Sequence, residues 1–242
     1  MQDAYDWAKN LNRTFKGHGY YRSWADPQIW SRVTENELTL TSPWTDDILG
    51  ASSTLEGKTL AKEQLRSSYE IKDIEEAKLI FGMKISQSKN GNVVISRRAY
   101  AERLLKRFNM HLCSPLTIPL LYGLSLSTED CLANTSEIEE MRKVPYCKAL
   151  GLLMWMQVMT WPDLSYPVNL LACFAHNLEK AHWNTLKHVL GYIKGTLDYA
   201  IRYHAGATLD PVKYVDFNFA RYKNTRHSTE SNIFVVIRGP VS

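Results

Sequence analysis

No Cys-x-x-Cys pair occurs among the four cysteines, Cys113, Cys131, Cys147 and Cys173. Zinc-ribbon and thioredoxin-type spacings are therefore missing, and reduced thiols are the expectation. Cys173, His176, His182 and His188 have a superficial look of metal ligands. Steps of six residues turn a helix by about 240°, so the three histidines do not share a face and no metal site is expected there. Long apolar runs are also lacking. The longest, Ala149 to Met159, is broken by Gly151 and Gln157 and falls short of the roughly 20 residues a spanning helix needs. Met1-Gln2-Asp3-Ala4 has neither the basic head nor the apolar core of a secretory leader. No internal repeat and no low-complexity tract interrupts the chain. Charge of one sign is scarce: 29 Lys and Arg against 25 Asp and Glu leave a net +4, which permits a nucleic-acid partner without demanding one. These absences predict an intracellular chain, cytoplasmic or nuclear, with no membrane partner.

What is present is ordinary for a folded protein: 242 residues, 45% hydrophobic and 22% charged. Residues 2–16 carry Ala4, Trp7, Leu11 and Phe15 at helical spacing, with Gly17 and Gly19 as the stop. Pro27 to Val33 predicts a strand. Glu37-Leu38-Thr39-Leu40-Thr41 alternates as a half-buried strand does. Ile48-Leu49 begins a further apolar run, so Asp46-Asp47 falls at the tip of a hairpin. Adjacent carboxylates repel; such a pair either faces water in a turn or is held by a cation, and magnesium suits carboxylate oxygens and phosphate chemistry.

Further along, Ser53-Thr54-Leu55-Glu56 matches a capping box before a helix with Leu60, Ala61, Leu65 and Tyr69. Lys78 to Ile85 predicts a strand with Gly82 inside it, as a bulge or a point of close backbone approach. Asn90-Gly91 is a hairpin turn leading to Val93-Val94-Ile95. Ser96 caps a helix to about Met110, with Tyr100, Leu104, Leu105 and Phe108 as its buried stripe. Arg97, Arg98, Arg103, Lys106 and Arg107 make the rest of that helix basic, either a solvated face or one that follows phosphates. Residues 112–144 predict a long loop, with a short helix through Glu137 to Met141. Three helices follow, from Pro145, Pro162 and Glu179, and then strands at Tyr199–Tyr203, Val212–Asp216 and Ile233–Ile237.

In their order, these segments resemble the reverse transcriptase of copia-type retrotransposons. Trp44-Thr45-Asp46-Asp47-Ile48-Leu49 is similar to that family's Tyr-Val-Asp-Asp palm motif. Gln2 with Trp7 resembles its Lys-Gln-x-x-x-x-Trp helix, and Gly19-Tyr20-Tyr21-Arg22-Ser23 with Ala25-Asp26-Pro27 its Gly-Phe-x-x-Ser…Ala-Asp-Pro segment. Ile71 to Lys78 and Phe81-Gly82-Met83-Lys84-Ile85 are similar to the run that includes the primer grip. Leu104 to Met110 matches the thumb helix. Thr160-Trp161-Pro162-Asp163-Leu164 and Val189-Leu190-Gly191-Tyr192-Ile193-Lys194-Gly195-Thr196 match later helices. Tyr214-Val215-Asp216-Phe217-Asn218 resembles the opening of the adjoining ribonuclease H domain, and Thr225 to Thr229 its next signal.

The resemblance implies an α+β fold in three parts: a partial palm of antiparallel sheet and helices at residues 1–95, thumb and connection helices at 96–196 with the loop at 112–144, and the incomplete start of a ribonuclease H-like domain at 197–242. It implies template-primed nucleotidyl transfer, with an RNA or DNA template-primer duplex and deoxynucleotides as partners and Mg2+ as cofactor. Asp46 and Asp47 would be the catalytic and metal-binding pair, Asp46 the direct ligand and Asp47 more peripheral. Gln2 would lie beside the nucleotide, Phe81, Gly82 and Met83 would hold the primer end, and Arg103, Lys106 and Arg107 would contact the duplex backbone. Asp216 would be the first ribonuclease H carboxylate. The pattern is departed from in places. Trp44 stands for the usual Tyr, Pro43 removes a backbone donor, and Asn218 stands where a second Asp is common. The family's third palm aspartate precedes the Gln-containing helix, so the expectation is a fragment, inactive alone, or a catalytically dead nucleic-acid-binding remnant or non-functional transposon-derived product.

Overall fold

The computed structural model describes residues 2–124, 126, 135–176, 178–218 and 228–241. Cys131, the Thr225-Arg226-His227 run and the side chains of Gln2 and Asn218 lie outside the described residues. Two compact units divide after Ala77.

The first unit opens with helix α1, Gln2–Gly17. Leu11 and Phe15 are buried as the spacing predicts. Gly19, at φ +80, lets the Tyr20 amide donate back to the Phe15 carbonyl at 2.9 Å and closes the helix. Strands β1 (Tyr21–Arg22), β2 (Trp30–Val33), β3 (Leu38–Trp44) and β4 (Asp47–Ser52) form an antiparallel sheet in that order. Helix α2, Leu55–Arg66, follows. Leu11, Phe15, Tyr20 and Trp30 make the core, with Trp7, Ile48, Leu65 and Tyr69 packed against it.

One face of this sheet is the reverse of what alternation suggests. In β3 the threonines point inward: Thr39 is 1% exposed and Leu40 39%. A polar network explains the inversion. Arg32 on β2 donates from Nη2 to Glu37 Oε1 at 2.6 Å and from Nη1 to Gln64 Oε1 on α2 at 3.0 Å. Thr39 Oγ1 donates to the same Glu37 oxygen at 2.8 Å and meets Ser52 Oγ at 2.9 Å. Buried hydroxyls are tolerated where they are hydrogen-bonded, and Thr39 has two partners here. The expected capping box is not formed, since the helix start shifts by one residue and puts Gly57 at the third helical position. Thr54, not Ser53, is the N-cap, accepting from the Gly57 amide at 3.0 Å, while Ser53 Oγ accepts from the Leu38 amide. Glu37 fills the space beside Gly57, where a Cβ would lie 2.3 Å from its carboxyl carbon.

The second unit begins with a correction. Lys78 to Ile85 is not one strand: β5 (Leu79–Ile80) and β6 (Met83–Gln87) are antiparallel partners joined by Phe81-Gly82. Strand β7 (Val93–Ser96) follows the Asn90-Gly91 turn, and β8 (Ile201–Tyr203) completes the sheet beyond it. Helices α3 (Arg98–Arg107), α4 (Thr135–Arg142), α5 (Tyr146–Met159), α6 (Ser165–Ala172) and α7 (Lys180–Gly195) come next. The helix expected from Pro162 to His176 divides into a 3-10 turn at Pro162–Leu164 and the shorter α6. Leu104, Leu105, Leu153, Met156, Leu186 and Leu190 lie in one buried cluster. The apolar spacing of α3 and α7 therefore reads correctly.

Part of the long connection is fixed on α7. The Leu116 amide donates to the Gly191 carbonyl at 3.1 Å, and the His188 ring meets the Ile118 carbonyl at 3.1 Å. A Cβ at Gly195 would sit 2.2 Å from the Leu116 carbonyl oxygen, so only glycine admits this crossing. Strands β9 (Val212–Asn218), β10 (Thr229–Val236) and β11 (Gly239–Pro240) form a third sheet. It meets β8 through the Tyr203 hydroxyl, which donates to the Pro240 carbonyl at 2.7 Å. Tyr214, Val215 and Phe217 remain exposed on β9.

Two outcomes follow from this packing. Gly195→Ala overpacks against backbone and should cost about 1–3 kcal/mol in urea unfolding, whereas Gly151→Ala, with open space around it, should not. Arg32, first among the causes, holds the Glu37 carboxyl below its usual value. The stabilisation is present above the unfolded carboxylate range and is lost as pH falls through the lowered folded value. The urea midpoint should drop over that acid window, and Arg32→Met should flatten the drop.

Candidate functional site

The register of the β3–β4 hairpin pairs Trp44 with Asp47 and leaves Thr45 and Asp46 as a two-residue turn. The hairpin is the expected one, but its tip lies one residue earlier than expected: Asp46 is in the turn and Asp47 is the first residue of β4. Asp46 and Asp47 are adjacent and exposed. Thr45 lies at φ 52, a conformation that strains a β-branched residue by roughly 1–3 kcal/mol. Its carbonyl oxygen accepts from the Trp7 indole N–H at 2.9 Å. Trp7 in turn stands edge-on to Tyr69, with ring centroids 5.1 Å apart, and the Tyr69 hydroxyl is 2.9 Å from Thr14 Oγ1. Thus α1, whose first residue is Gln2, and the carboxylate turn are joined in one unit. Pro43 is accommodated because β2 pairs with β3 only as far as Trp30↔Thr41, so the proline lies on an open stretch of strand.

No group of three or more His, Cys, Asp or Glu able to hold a metal occurs among the described residues. The donor set at the turn is two carboxylates. That set fits magnesium, which keeps several waters and commonly takes one or two carboxylates together with substrate phosphates.

The second candidate turn lies in the other unit. Ile80 pairs with Met83, and the intervening Phe81 and Gly82 have φ 49 and 74. Two successive positive φ values suit a tight hairpin, where glycine at the second position costs nothing. The Phe81 carbonyl accepts from Arg97 Nη2 at 3.1 Å, and Arg97 Nη1 donates to the Trp155 carbonyl on α5 at 3.2 Å. The guanidinium also lies over the Tyr100 ring at 4.3 Å and the Trp155 ring at 5.4 Å. Arg97 is 1% exposed, and burial lowers its pKa. It therefore leaves the basic face on which the sequence places it. Arg98 stays exposed but is paired, with Glu102 at 2.9 Å and Asp198 both within ion-pair reach. Arg103, Lys106 and Arg107 remain, all exposed on α3. Leu104 and Leu105 bury the opposite side of that helix. Asp216 sits in β9 opposite Ser231 and is exposed.

Sequence reasoning missed the roles of Trp7 and Arg97. Nothing separates Arg97 from Arg98 by composition; only the position directly after β7 does. For Trp7, the helical stripe predicts burial of the ring but not the use of its N–H.

The chain belongs to the reverse transcriptase (RNA-dependent DNA polymerase) family, whose profile matches residues 1–122. It represents a copia-type retrotransposon reverse transcriptase segment. It is 31% identical to the retrovirus-related Pol polyprotein from transposon TNT 1-94 of Nicotiana tabacum, over 98% of this chain and 18% of that protein. A putative transposon Ty5-1 protein of Saccharomyces cerevisiae is 25% identical over 98% of this chain and 75% of its own length. An uncharacterised mitochondrial protein of Arabidopsis thaliana is 30% identical over 77% of this chain and 74% of its own length. The chain thus spans under a fifth of the tobacco polyprotein. No solved structure matches it.

Thr45→Gly should relieve the left-handed strain at the turn and raise stability by about 1 kcal/mol, read as a higher urea midpoint at unchanged slope.

Proposed function

We propose that this chain is the part of a template-primed RNA-directed DNA polymerase in which Asp46 and Asp47 present their carboxylates to the reacting phosphate. The observation that carries this reading is the pair of exposed carboxylates at a strained hairpin turn, Asp46 within the turn and Asp47 directly after it. Strained backbone of this kind is concentrated at functional sites. Residues 1–95 act as the palm segment, 96–196 as thumb and connection, and 197–242 as the opening strands of a ribonuclease H-like domain, with Asp216 its first carboxylate.

Magnesium bound at the turn would supply charge stabilisation at the transferring phosphate and activation of the primer 3′-oxygen. The chain's own residues hold and orient. Asp46 is the direct ligand and Asp47 the flanking one. Gln2, at the start of α1, borders the nucleotide. Phe81, Gly82 and Met83 present a rigid hairpin to the primer end. Arg103, Lys106 and Arg107 contact the duplex backbone, a sequence-blind and salt-sensitive role. An intracellular location suits these partners.

A second reading has its own support. With two carboxylates and no larger donor cluster among the described residues, the chain binds template-primer without extending it.

Primer extension with magnesium separates the two. Extension lost in Asp46→Asn supports the polymerase. No extension, together with a duplex mobility shift weakened by salt and by Arg103→Glu or Arg107→Glu, supports binding alone. Each charge reversal should weaken the shift on every sequence alike and lower the salt slope by about 1 per lost phosphate contact. Neither extension nor shift would remove both readings.

A further inference from the structure

We infer that Trp7 is a positioning residue for the carboxylate turn: its indole N–H selects which way the Thr45–Asp46 peptide faces, and so where Asp46 points. The inference rests on the assignment of Asp46 and Asp47 as the metal-binding pair. In a two-residue turn, the central peptide can flip between two arrangements that differ chiefly in the first ψ and the second φ. Here that peptide is the one between Thr45 and Asp46, and its oxygen is the atom to which Trp7 Nε1 donates at 2.9 Å.

The consequence can be read in the backbone. Thr45 takes a positive φ and Asp46 does not. The flipped peptide would require a left-handed Asp46 as well, as the mirror-image type I turn does. It would also carry the oxygen away from the indole and reorient the bonds from which the Asp46 carboxylate departs. Aspartate is among the residues that enter the left-handed region most readily, so the flipped arrangement is accessible and one directed hydrogen bond shifts the population.

Trp7 is suited to this because it is itself restrained. Tyr69 packs edge-on against its ring, and the Tyr69 hydroxyl reaches Thr14, about two turns along the same helix face. Position 7 therefore couples the helix that begins at Gln2 to the turn. A purely structural tryptophan would need only its ring.

The test separates ring from N–H in the full chain. Benzothienylalanine, placed site-specifically at position 7, keeps the bicyclic shape and replaces N–H by sulfur; Trp7→Phe serves as the second variant. Backbone 15N relaxation reads motion of Thr45, Asp46 and Asp47, thermal melting reads the fold, and Mn2+ titration by electron paramagnetic resonance reads the carboxylates. The expected result is microsecond-to-millisecond exchange at residues 45–47, a melting midpoint lowered by no more than about 2–4 °C, and Mn2+ affinity reduced about two- to tenfold, the loss of one hydrogen bond. Native relaxation at residues 45–47 in the sulfur variant would overturn the role of Trp7. Absence of Mn2+ binding that Asp46→Asn removes would instead overturn the metal assignment, while the relaxation data still decide the positioning.

Discussion

A residue with a Cβ enters the left-handed region at a cost, and stays there only when its surroundings hold it. Thr45 and Phe81 are both in that region, each as the first central residue of a tight turn. In each, the carbonyl oxygen of that residue accepts one directed donor from elsewhere, the Trp7 indole in one unit and the Arg97 guanidinium in the other. The positions proposed for these turns, a metal-binding carboxylate pair and a hairpin at a primer end, depend on this constraint. Without it, both turns would relax toward conformations that aim their side chains elsewhere.

The donors differ in how they are made affordable. Trp7 is a neutral donor at the protein surface, restrained by an aromatic neighbour. Arg97 is a buried cation without a carboxylate partner among the described residues. Two backbone carbonyls take its N–H groups, and the Tyr100 and Trp155 rings receive its charge. Cation–π contact strengthens as water is removed, which is how a guanidinium can be buried here. The cost is visible: burial lowers the pKa of Arg97, and its Nε finds no partner.

The same balance of polar groups explains where periodicity misled. The Leu38–Leu40 and Thr39–Thr41 alternation is correct in period and wrong in face. Period two says only that alternate residues share a side; it does not say which side. Arg32 and Glu37 decide it, because a charged pair on the inner face needs hydroxyls beside it. Similarly, Gly82 inside an apolar stretch was compatible with a bulge, and the pairing of Ile80 with Met83 makes it a turn. Of the five cations on the basic face of α3, Arg97 is buried and Arg98 is paired with carboxylates for a related reason. Charge is legible in a sequence, but whether a charge meets solvent, a carboxylate or an aromatic ring is not.

The sequence by itself determined the family, the helical stripes of α1, α3 and α7, the hairpin position of Asp46-Asp47, and the exposed cations at 103, 106 and 107. These depend on local period, on turn chemistry and on ordered motifs, all of which involve residues near one another in the chain. The tertiary structure alone decided the burial of Arg97, the inward face of β3, the seat of Leu116 against Gly191 and Gly195, and the indole bond to Thr45. The contacts behind them reach far along the chain, 38 positions from Trp7 to Thr45, 58 from Arg97 to Trp155 and 79 from Leu116 to Gly195. Such contacts are set by the geometry of packed elements, in which a single directed donor or the missing Cβ of a glycine chooses between arrangements that local sequence leaves nearly equal.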